Sequence, residues 1–373
     1  MSARRLRPGG RLDRYVLRLF ALSYLAAFFL VVGLFFILDM ATNLDDFLEP
    51  GPEGETPVGD VIEYYLLQLP FLYLQVSPFV TLVAGLFAGV RMSKANEVVA
   101  ALGAGVSTRR VFAPLFLGAG LLAVGMFGMR EWASESLGQR RDVLHDRLAE
   151  GRPAPVFETF WVRDRQGRDV LVRAFHPGKK DGGTGPARME GVSRPTFGAN
   201  QEPEQFAAAK AVWVEQEGGW LLEGARLVER TGERKTSQVL EGVHDLGLTP
   251  ADVLLAWKGR EQPLERSFSE CLTLLSREPR NARYRTLFHY HLSFPLAGLV
   301  LLSVGLPFVV GQERGRATER IAIGLGLCVV YFALEFVSRT LGMSGHLGPI
   351  LASWLPILFF GSLGTVLFGS MRS

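Results

Sequence analysis

The sequence predicts a membrane protein with six transmembrane α-helices, three on each side of an inserted β domain. Three observations support this fold class: the apolar residues are clustered, six runs are long enough to cross a bilayer, and a long polar segment separates the third run from the fourth. The 373 residues are 48% hydrophobic although 21% are charged, which indicates a chain divided between membrane and water. The net charge of only +3 gives no indication of a nucleic-acid partner.

Each run approaches or exceeds roughly 20 residues, the length of helix that crosses a hydrocarbon core about 30 Å thick. The runs, called spans one to six, cover residues 19–38, 64–90, 111–129, 292–310, 321–341 and 350–371. Pro70 and Pro78 lie inside span two, where they are expected to kink the helix or shift its start. Glu335 and Arg339 interrupt span five and share one helix face, so they are expected either to pair with each other or to serve in function.

The distribution of lysine and arginine in the short loops predicts how the chain crosses the membrane. Six arginines precede span one, four basic residues and one acid lie within 91–110, and three arginines lie in the loop 311–320. By contrast, residues 39–63 contain eight acids and no lysine or arginine. Because basic residues concentrate on the cytoplasmic side, we expect both termini and the segment 91–110 in the cytoplasm, and the large polar segment outside.

The polar segment between spans three and four has the pattern of a β domain. The stretch "ETFWVRDRQGRDVLVRAF" predicts two strands around an Asp-Arg-Gln-Gly turn, and "AAKAVWVEQEGGWLLEGARLVER" predicts a second pair around Gly218 and Gly219. We therefore expect residues 1–130 to hold spans one to three, 131–285 the β domain with helical connectors, and 286–373 spans four to six.

The stretch "RMSKANEVVAALGAGVSTRR", residues 91–110, interrupts the apolar chain between spans two and three. A short helix is expected near 93–104, with Ser93 or Asn96 as its N-cap and glycines at its end. Its apolar side is too small to hold a membrane surface, but it suits a groove in a protein. From the residues alone two interpretations stay open: an ordinary cytoplasmic loop with a helical turn, or a docking helix.

No set of residues in the sequence points to catalysis or metal binding. A phosphate-binding loop of the form G-x-x-x-x-G-K-[ST] is absent, so ATP hydrolysis is expected from a partner protein. His289 and His291 are two positions apart, face different ways on a helix, and are expected at the membrane interface. Cys271 and Cys328 have no metal-binding spacing, and a disulfide between them is not expected.

Several stretches of the chain together resemble the LptF/LptG family of lipopolysaccharide-export permeases. The region of spans two and three, "QLPFLYLQVSPFVTLVAGLFAGVRMSKANEVVAALGAGVSTRRVFAP", is similar, and so are "YRTLFHYHLSFPLAGLVLLSVGLPFVV" and "LGPILASWLPILFFGSLG". The amino-terminal "LDRYVLRLF" and "GLFFILDMATNLDDFLE" resemble LptG more than LptF. The resemblance covers essentially the whole chain, including its order of three spans, an outer domain and three spans.

The resemblance implies a permease subunit of an ABC transporter in the bacterial inner membrane, with both termini cytoplasmic. It also implies that the inserted β domain is periplasmic and β-jellyroll-like. The implied partners are a sibling LptF-type permease, a dimeric cytoplasmic LptB-type ATPase, LptC and an LptA-type periplasmic bridge, and the implied substrate is lipopolysaccharide. ATP and magnesium would bind to the ATPase, while this chain would hold no cofactor and perform no catalysis.

The family also implies roles for particular residues. The segment near 93–104 corresponds to a coupling helix that lies in a groove of the ATPase, and the acid of its "NE" pair, Glu97, would contact that subunit. The residues expected at this contact are Asn96, Glu97, Val98, Leu102, Arg109 and Arg110. The residues expected around an apolar lipid cavity with a basic rim are Phe28, Phe35, Arg130, Glu335 and Arg339. In the family, basic residues near the outer end of span one are expected to contact lipid phosphates, but in this chain aspartates follow span one. This difference either removes the lipid contact or moves it to the sibling permease.

Two other function classes stay open from the sequence. A membrane-anchored envelope enzyme would use the outer domain for chemistry, but no nucleophile–base pair or set of metal ligands supports it. A mechanical ABC-type permease that moves no substrate commonly has four spans with the outer domain between the first two. Here the polar segment follows span three, which favours the lipid exporter.

Overall fold

The computed structural model describes residues 10–48, 58–150, 156–178, 183, 185–197, 203–231, 234–261, 263–310 and 317–370. The chain divides into two compact units. The helical unit consists of Met1–Met40, Leu69–Arg130 and Arg285–Ser373, and the sheet unit consists of Ala41–Gln68 and Glu131–Tyr284. Residues 41–68 thus group with the sheet unit, whereas the sequence predicted one segment, 1–130, for the first three spans.

Within the described residues, six helical stretches are long and apolar enough to cross a membrane, which confirms the predicted spans of a multi-pass membrane protein. They are Arg11–Thr42, Val58–Lys94, Thr108–Ser134, Ala282–Val309, Ile321–Met343 and Pro349–Gly369. The first four begin earlier than the predicted runs because polar residues at their ends continue the helix. The helices of the described ranges are α1 (Arg11–Leu48), α2 (Val58–Lys94), α3 (Glu97–Gly103), α4 (Thr108–Ser136), α5 (Gly138–Glu150), α6 (Pro250–Glu261), α7 (Phe268–Arg277), α8 (Ala282–Ser293), α9 (Ala297–Val310), α10 (Ala317–Met343) and α11 (Pro349–Gly369).

The fourth stretch begins in a polar sequence because its side chains are buried by packing. A 3-10 turn, Phe294–Leu296, joins α8 to α9. Thr286 and His291 of α8 are both fully shielded from solvent. His291 therefore lies inside the helical unit.

Small residues bring helices of the helical unit close together. A Cβ added at Gly298 of α9 would lie 3.2 Å from the Cβ of Thr81 on α2, so the two helices are in close contact there. Such residues favour helix association in lipid, where van der Waals packing replaces the hydrophobic effect. The hydroxyls of Tyr24 and Ser77, 2.9 Å apart, also link α1 to α2.

The sheet unit contains a six-stranded antiparallel sheet in the order β1-β2-β3-β4-β5-β6. The strands are β1 (Phe157–Arg163), β2 (Asp169–His176), β3 (Arg188–Phe197), β4 (Pro203–Val214), β5 (Gly219–Thr231) and β6 (Arg234–His244). Both predicted hairpins are present, since Arg163 pairs with Asp169 and Val214 pairs with Gly219 beside their turns. The inserted β domain is confirmed, but its described strands pair in chain order as a meander. A complete jelly roll instead contains two Greek keys.

The sheet core is filled by aromatic side chains and covered by α6. Trp220 is fully buried, and its indole Nε1 donates a hydrogen bond to the carbonyl of Leu248 at 2.7 Å. The rings of Phe157 and Trp257 lie 4.2 Å apart between centroids, which fixes α6 on the sheet. In the same unit, Val61 of α2 packs with Leu144 of α5. The amino-terminal turns of α2 are therefore part of this unit's core.

Candidate functional site

The candidate site is the segment between the second and third spans, residues 91–110, called the coupling segment below. Helix α2 continues through Ser93 to Lys94, so Ser93 lies in its last turn and is not an N-cap. Asn96 precedes α3 in a left-handed conformation, with φ 56° and ψ 19°, which asparagine tolerates better than most residues. Asn96 therefore occupies the predicted N-cap position, although its side chain makes no capping hydrogen bond.

The carboxyl end of α3 is set by glycine, as the sequence predicted. Gly105 follows the helix with φ +80°, a left-handed conformation that glycine adopts without steric strain. The amide of Val106 donates to the carbonyl of Ala101 at 3.0 Å, and that of Gly105 donates to Leu102 at 2.9 Å. This pair of bonds is a Schellman motif, which satisfies the last carbonyls and gives α3 a defined end.

Helix α3 has one face buried in its own chain and one exposed face. Val98 is only 5% exposed and packs in a cluster that includes Val16 of α1 and Met92 of α2. Val99 is 66% exposed and Leu102 is 38% exposed. The structure therefore turns Val98 away from a partner and leaves two apolar side chains in the solvent.

Glu97 begins α3 and is half-buried. The hydroxyl of Tyr15 on α1 donates to its Oε1 at 2.8 Å. Among the described residues, its other oxygen, Oε2, is shielded from solvent and accepts no hydrogen bond. One oxygen is thus committed within the chain, and the second is a buried acceptor without a donor.

The two arginines at the carboxyl end of the segment, Arg109 and Arg110, also contact their own chain. Arg109 donates from Nη2 to the carbonyl of Gly369 at 2.6 Å, where a cation is favourable at the carboxyl end of α11. Arg110 donates from Nη2 to Oδ2 of Asp13 at 2.8 Å. Sequence reasoning missed Asp13 and Tyr15. A signal was available for Asp13, which is the only acid among the six arginines before span one.

The residues predicted for a lipid cavity lie in two places of the helical unit. Arg130 is 5% exposed, and its Nη1 lies 3.4 Å from Nε2 of the buried His291. Glu335 accepts a hydrogen bond from Nε of Arg339 at 2.7 Å, so the pair expected from their spacing is formed. The Arg339 guanidinium also lies 5.3 Å from the ring centroid of Tyr290.

The aromatic residues predicted for the cavity are on α1. Phe28 is half-buried, with its ring 6.0 Å from that of Tyr73. Phe35 is also half-buried and contacts Phe36 at 6.3 Å between centroids. The two residues are seven positions apart and therefore share a helix face.

The coupling segment presents exposed apolar side chains next to a half-buried carboxylate. It combines a carboxylate, an exposed apolar pair and ends fixed by glycine and by contacts to α1 and α11. Within the described ranges, no group of three or more His, Cys, Asp or Glu side chains is placed to hold a metal ion. In the described chain, Cys271 and Cys328 are both buried and are not joined by a disulfide.

Comparison with known proteins agrees with this architecture. The family model described as "Lipopolysaccharide export system permease LptF/LptG" matches residues 14–370. The match includes all six spans, the coupling segment and the inserted sheet, and the model covers LptF and LptG together. No curated protein sequence matches the chain. A match over nearly the whole length shows that this chain belongs to the LptF/LptG family of lipopolysaccharide export permeases, which are non-catalytic membrane subunits of an ABC-type export system.

Proposed function

We propose that this chain is an LptG-like permease subunit that extracts lipopolysaccharide from the inner membrane and passes it to a periplasmic bridge. Its partners are a sibling LptF-type permease, an LptB-type ATPase dimer, LptC and an LptA-type bridge protein. ATP and magnesium bind to the ATPase, and this chain holds no cofactor of its own. Family membership supports the transport role, and the coupling segment supports the mechanical link.

The geometry of α3 is the observation that carries this proposal. Val98 anchors the helix to α1 and α2, while Val99 and Leu102 remain available to a groove of the ATPase. The shielded Oε2 of Glu97 accepts no hydrogen bond within the described chain, and a guanidinium of the ATPase supplies the missing donor. Movement of the ATPase groove is then transmitted through α3 to the helices on either side.

The orientation follows from the basic loops. Lysine and arginine at the end of span two and the start of span three support a cytoplasmic coupling segment. The same rule supports cytoplasmic termini and a periplasmic sheet unit in a bacterial inner membrane. ATPase and α3 are thereby on one side, and the proteins that receive the lipid are on the other.

The lipid contacts form a separate part of the proposal. Arg130 is buried beside His291, so it meets a lipid phosphate only when the surrounding helices separate. Glu335 and Arg339 neutralise each other and line the cavity without adding net charge. Phe28 and Phe35 contribute apolar surface on the shared face of α1.

The test is a charge reversal at α3. Glu97→Arg places a cation where a guanidinium is expected and strands the partner's charge, which weakens ATPase binding by about 2 kcal/mol or more, roughly 30-fold. Lipopolysaccharide export should fall to background while the variant remains inserted at normal abundance. Glu319→Arg, a reversal at an exposed acid in the first turn of α10, serves as the matched control and should retain export. Normal export by Glu97→Arg contradicts the proposal.

A further inference from the structure

The first two turns of α1 contact the coupling segment at the start of α3 and at the start of α4. Tyr15 donates its hydroxyl to Glu97, the first residue of α3, at 2.8 Å. Asp13, two residues earlier, accepts from Arg110 in the first turn of α4, also at 2.8 Å. Val16, the residue after Tyr15, is fully buried in the same cluster as Val98. Asp13, Tyr15 and Val16 of α1 therefore contact the start of α4, the start of α3 and the cluster that buries Val98, respectively.

We propose that Tyr15 is a positioning residue for Glu97 in ATPase docking, a role that rests on the function proposed above. A tyrosine hydroxyl has one proton to donate, and it satisfies one carboxylate oxygen only. The second oxygen, Oε2, has no donor within the described chain and accepts from a cation of the partner when docking uncovers it. Tyr15 thus fixes which oxygen of Glu97 is offered and in what direction.

The burial of Oε2 strengthens this argument. A carboxylate oxygen that is shielded from water and accepts no hydrogen bond is unfavourable in the isolated chain. A guanidinium of the partner that reaches Oε2 removes this penalty by supplying the missing donor. Without Tyr15, the glutamate side chain rotates into solvent, and docking must both order it and desolvate it.

Asp13 supports the same arrangement from the other side. The Arg110–Asp13 pair is half-buried, with side chains 30% and 11% exposed. It fixes the first turn of α1 against the start of α4, so the Tyr15 hydroxyl lies within reach of α3. The contact is an ion pair on the chain's own helices and leaves the exposed face of α3 open.

The experiment is a double-mutant cycle on the full chain. The chain and its sibling permease are placed in lipid nanodiscs and titrated with fluorescently labelled LptB-type ATPase. Tyr15→Phe keeps the ring and removes the donor, and it should weaken ATPase binding roughly 3- to 10-fold in the wild-type background. In a Glu97→Ala background, Tyr15→Phe should have no effect, because no carboxylate remains to be positioned. An equal loss in both backgrounds assigns Tyr15 a merely structural role and overturns the inference.

A matched control and a separate criterion keep the two proposals distinguishable. Tyr24 lies on α1, the same helix as Tyr15. Tyr24→Phe removes a buried hydroxyl contact to Ser77 of α2 and should leave ATPase affinity unchanged. If Glu97→Ala alone leaves affinity unchanged, the docking role of α3 in the proposed function fails. If Glu97→Ala weakens binding and Tyr15→Phe does not, only the positioning role of Tyr15 is overturned.

Discussion

The coupling segment and the surroundings of Arg141 in the sheet unit contain the same kind of charged pair in different settings. The Arg110 and Asp13 side chains at the coupling segment are 30% and 11% exposed. Arg141 of α5 is 6% exposed and donates to Asp142 at 2.6 Å and to Glu265. Its Nη1 also lies 3.4 Å from the amide oxygen of Gln68. One guanidinium thus joins α5, α2 and the 3-10 turn Pro263–Glu265.

The difference in burial separates a contact that can rearrange when a partner binds from a contact that stays fixed. Burial alone lowers the pKa of the Arg141 guanidinium, but Glu265 and Asp142 outweigh it and raise the pKa above its ordinary value. Such a charge cannot leave its partners without a large desolvation penalty. At Glu97 a single tyrosine hydroxyl, on a residue 41% exposed, is the donor, so this contact can be adjusted when a partner binds. We expect the sheet unit to be rigid at Arg141 and the coupling segment to be adaptable.

The largest effect should come from breaking the buried network. Arg141→Met leaves the carboxylates of Asp142 and Glu265 without their guanidinium, and removal of one partner from such a pair costs about 3 kcal/mol of unfolding free energy. Lys258, 3.2 Å from Asp142, limits the loss. Thermal unfolding of the full chain followed by tryptophan fluorescence reports on this unit, because every tryptophan except Trp354 lies in it.

The matched control for that prediction is the exposed pair of the first hairpin. Arg163→Met removes a hydrogen-bonded partner of Asp169, with side chains 35% and 54% exposed. A pair so exposed contributes less than about 1 kcal/mol. If Arg141→Met and Arg163→Met lower the melting temperature equally, burial does not distinguish the two networks.

The next effect tests how α3 ends. Gly105→Ala forces alanine into a left-handed conformation at a cost of roughly 1 kcal/mol, which loosens the Schellman motif. Gly103→Ala is the control, because Gly103 is helical, a Cβ there meets nothing within 4 Å, and alanine favours helix by about 1 kcal/mol. Hydrogen exchange of the α3 amides should become faster in the first variant and slower in the second. The same direction of change in both variants is incompatible with a defined helix end.

Local patterns in the sequence were sufficient for much of this architecture. Runs of apolar residues predicted six spans, alternation around turns predicted two hairpins, and spacing on one helix predicted the Glu335–Arg339 pair. All of these depend on residues close together in the chain. The glycines that end α3 belong to the same category, since a left-handed turn has a direct residue preference.

Contacts between distant residues could not be predicted in this way. Tyr15 and Glu97 are 82 positions apart, and Arg130 and His291 are 161 positions apart. Nothing in the sequence near any of them specifies the partner, because each pair is created by the packing of spans. The division of α2 between two units has the same origin: hydropathy marks a helix, whereas its neighbours decide which core its ends join.

The smallest effect concerns an exposed titratable pair in the sheet unit. Nε2 of His176 on β2 lies 3.3 Å from Oε1 of Glu190 on β3, and Arg188 is also adjacent. Partial burial and the Arg188 charge lower the pKa of His176 below its ordinary 6.5, and Glu190 offsets only part of this. The folded chain therefore binds this proton less readily than the unfolded chain. Its stabilising contribution is complete above pH 6.5 and is lost as the pH falls below that value.

A variant at His176 isolates this contribution from every other carboxylate and histidine. His176→Gln keeps a polar side chain and removes the titration, so the wild type should lose slightly more thermal stability than the variant between pH 7.5 and pH 5.5. The difference should be well below the effect of Arg141→Met, because the solvent screens an exposed pair. A larger loss in His176→Gln than in the wild type would reverse the sign and show that Glu190 dominates over burial and Arg188. Equal losses would mean that His176 has the same pKa in the folded and the unfolded chain. The His176–Glu190 pair would then contribute no measurable stability, in keeping with the rule that exposed charged pairs are weak.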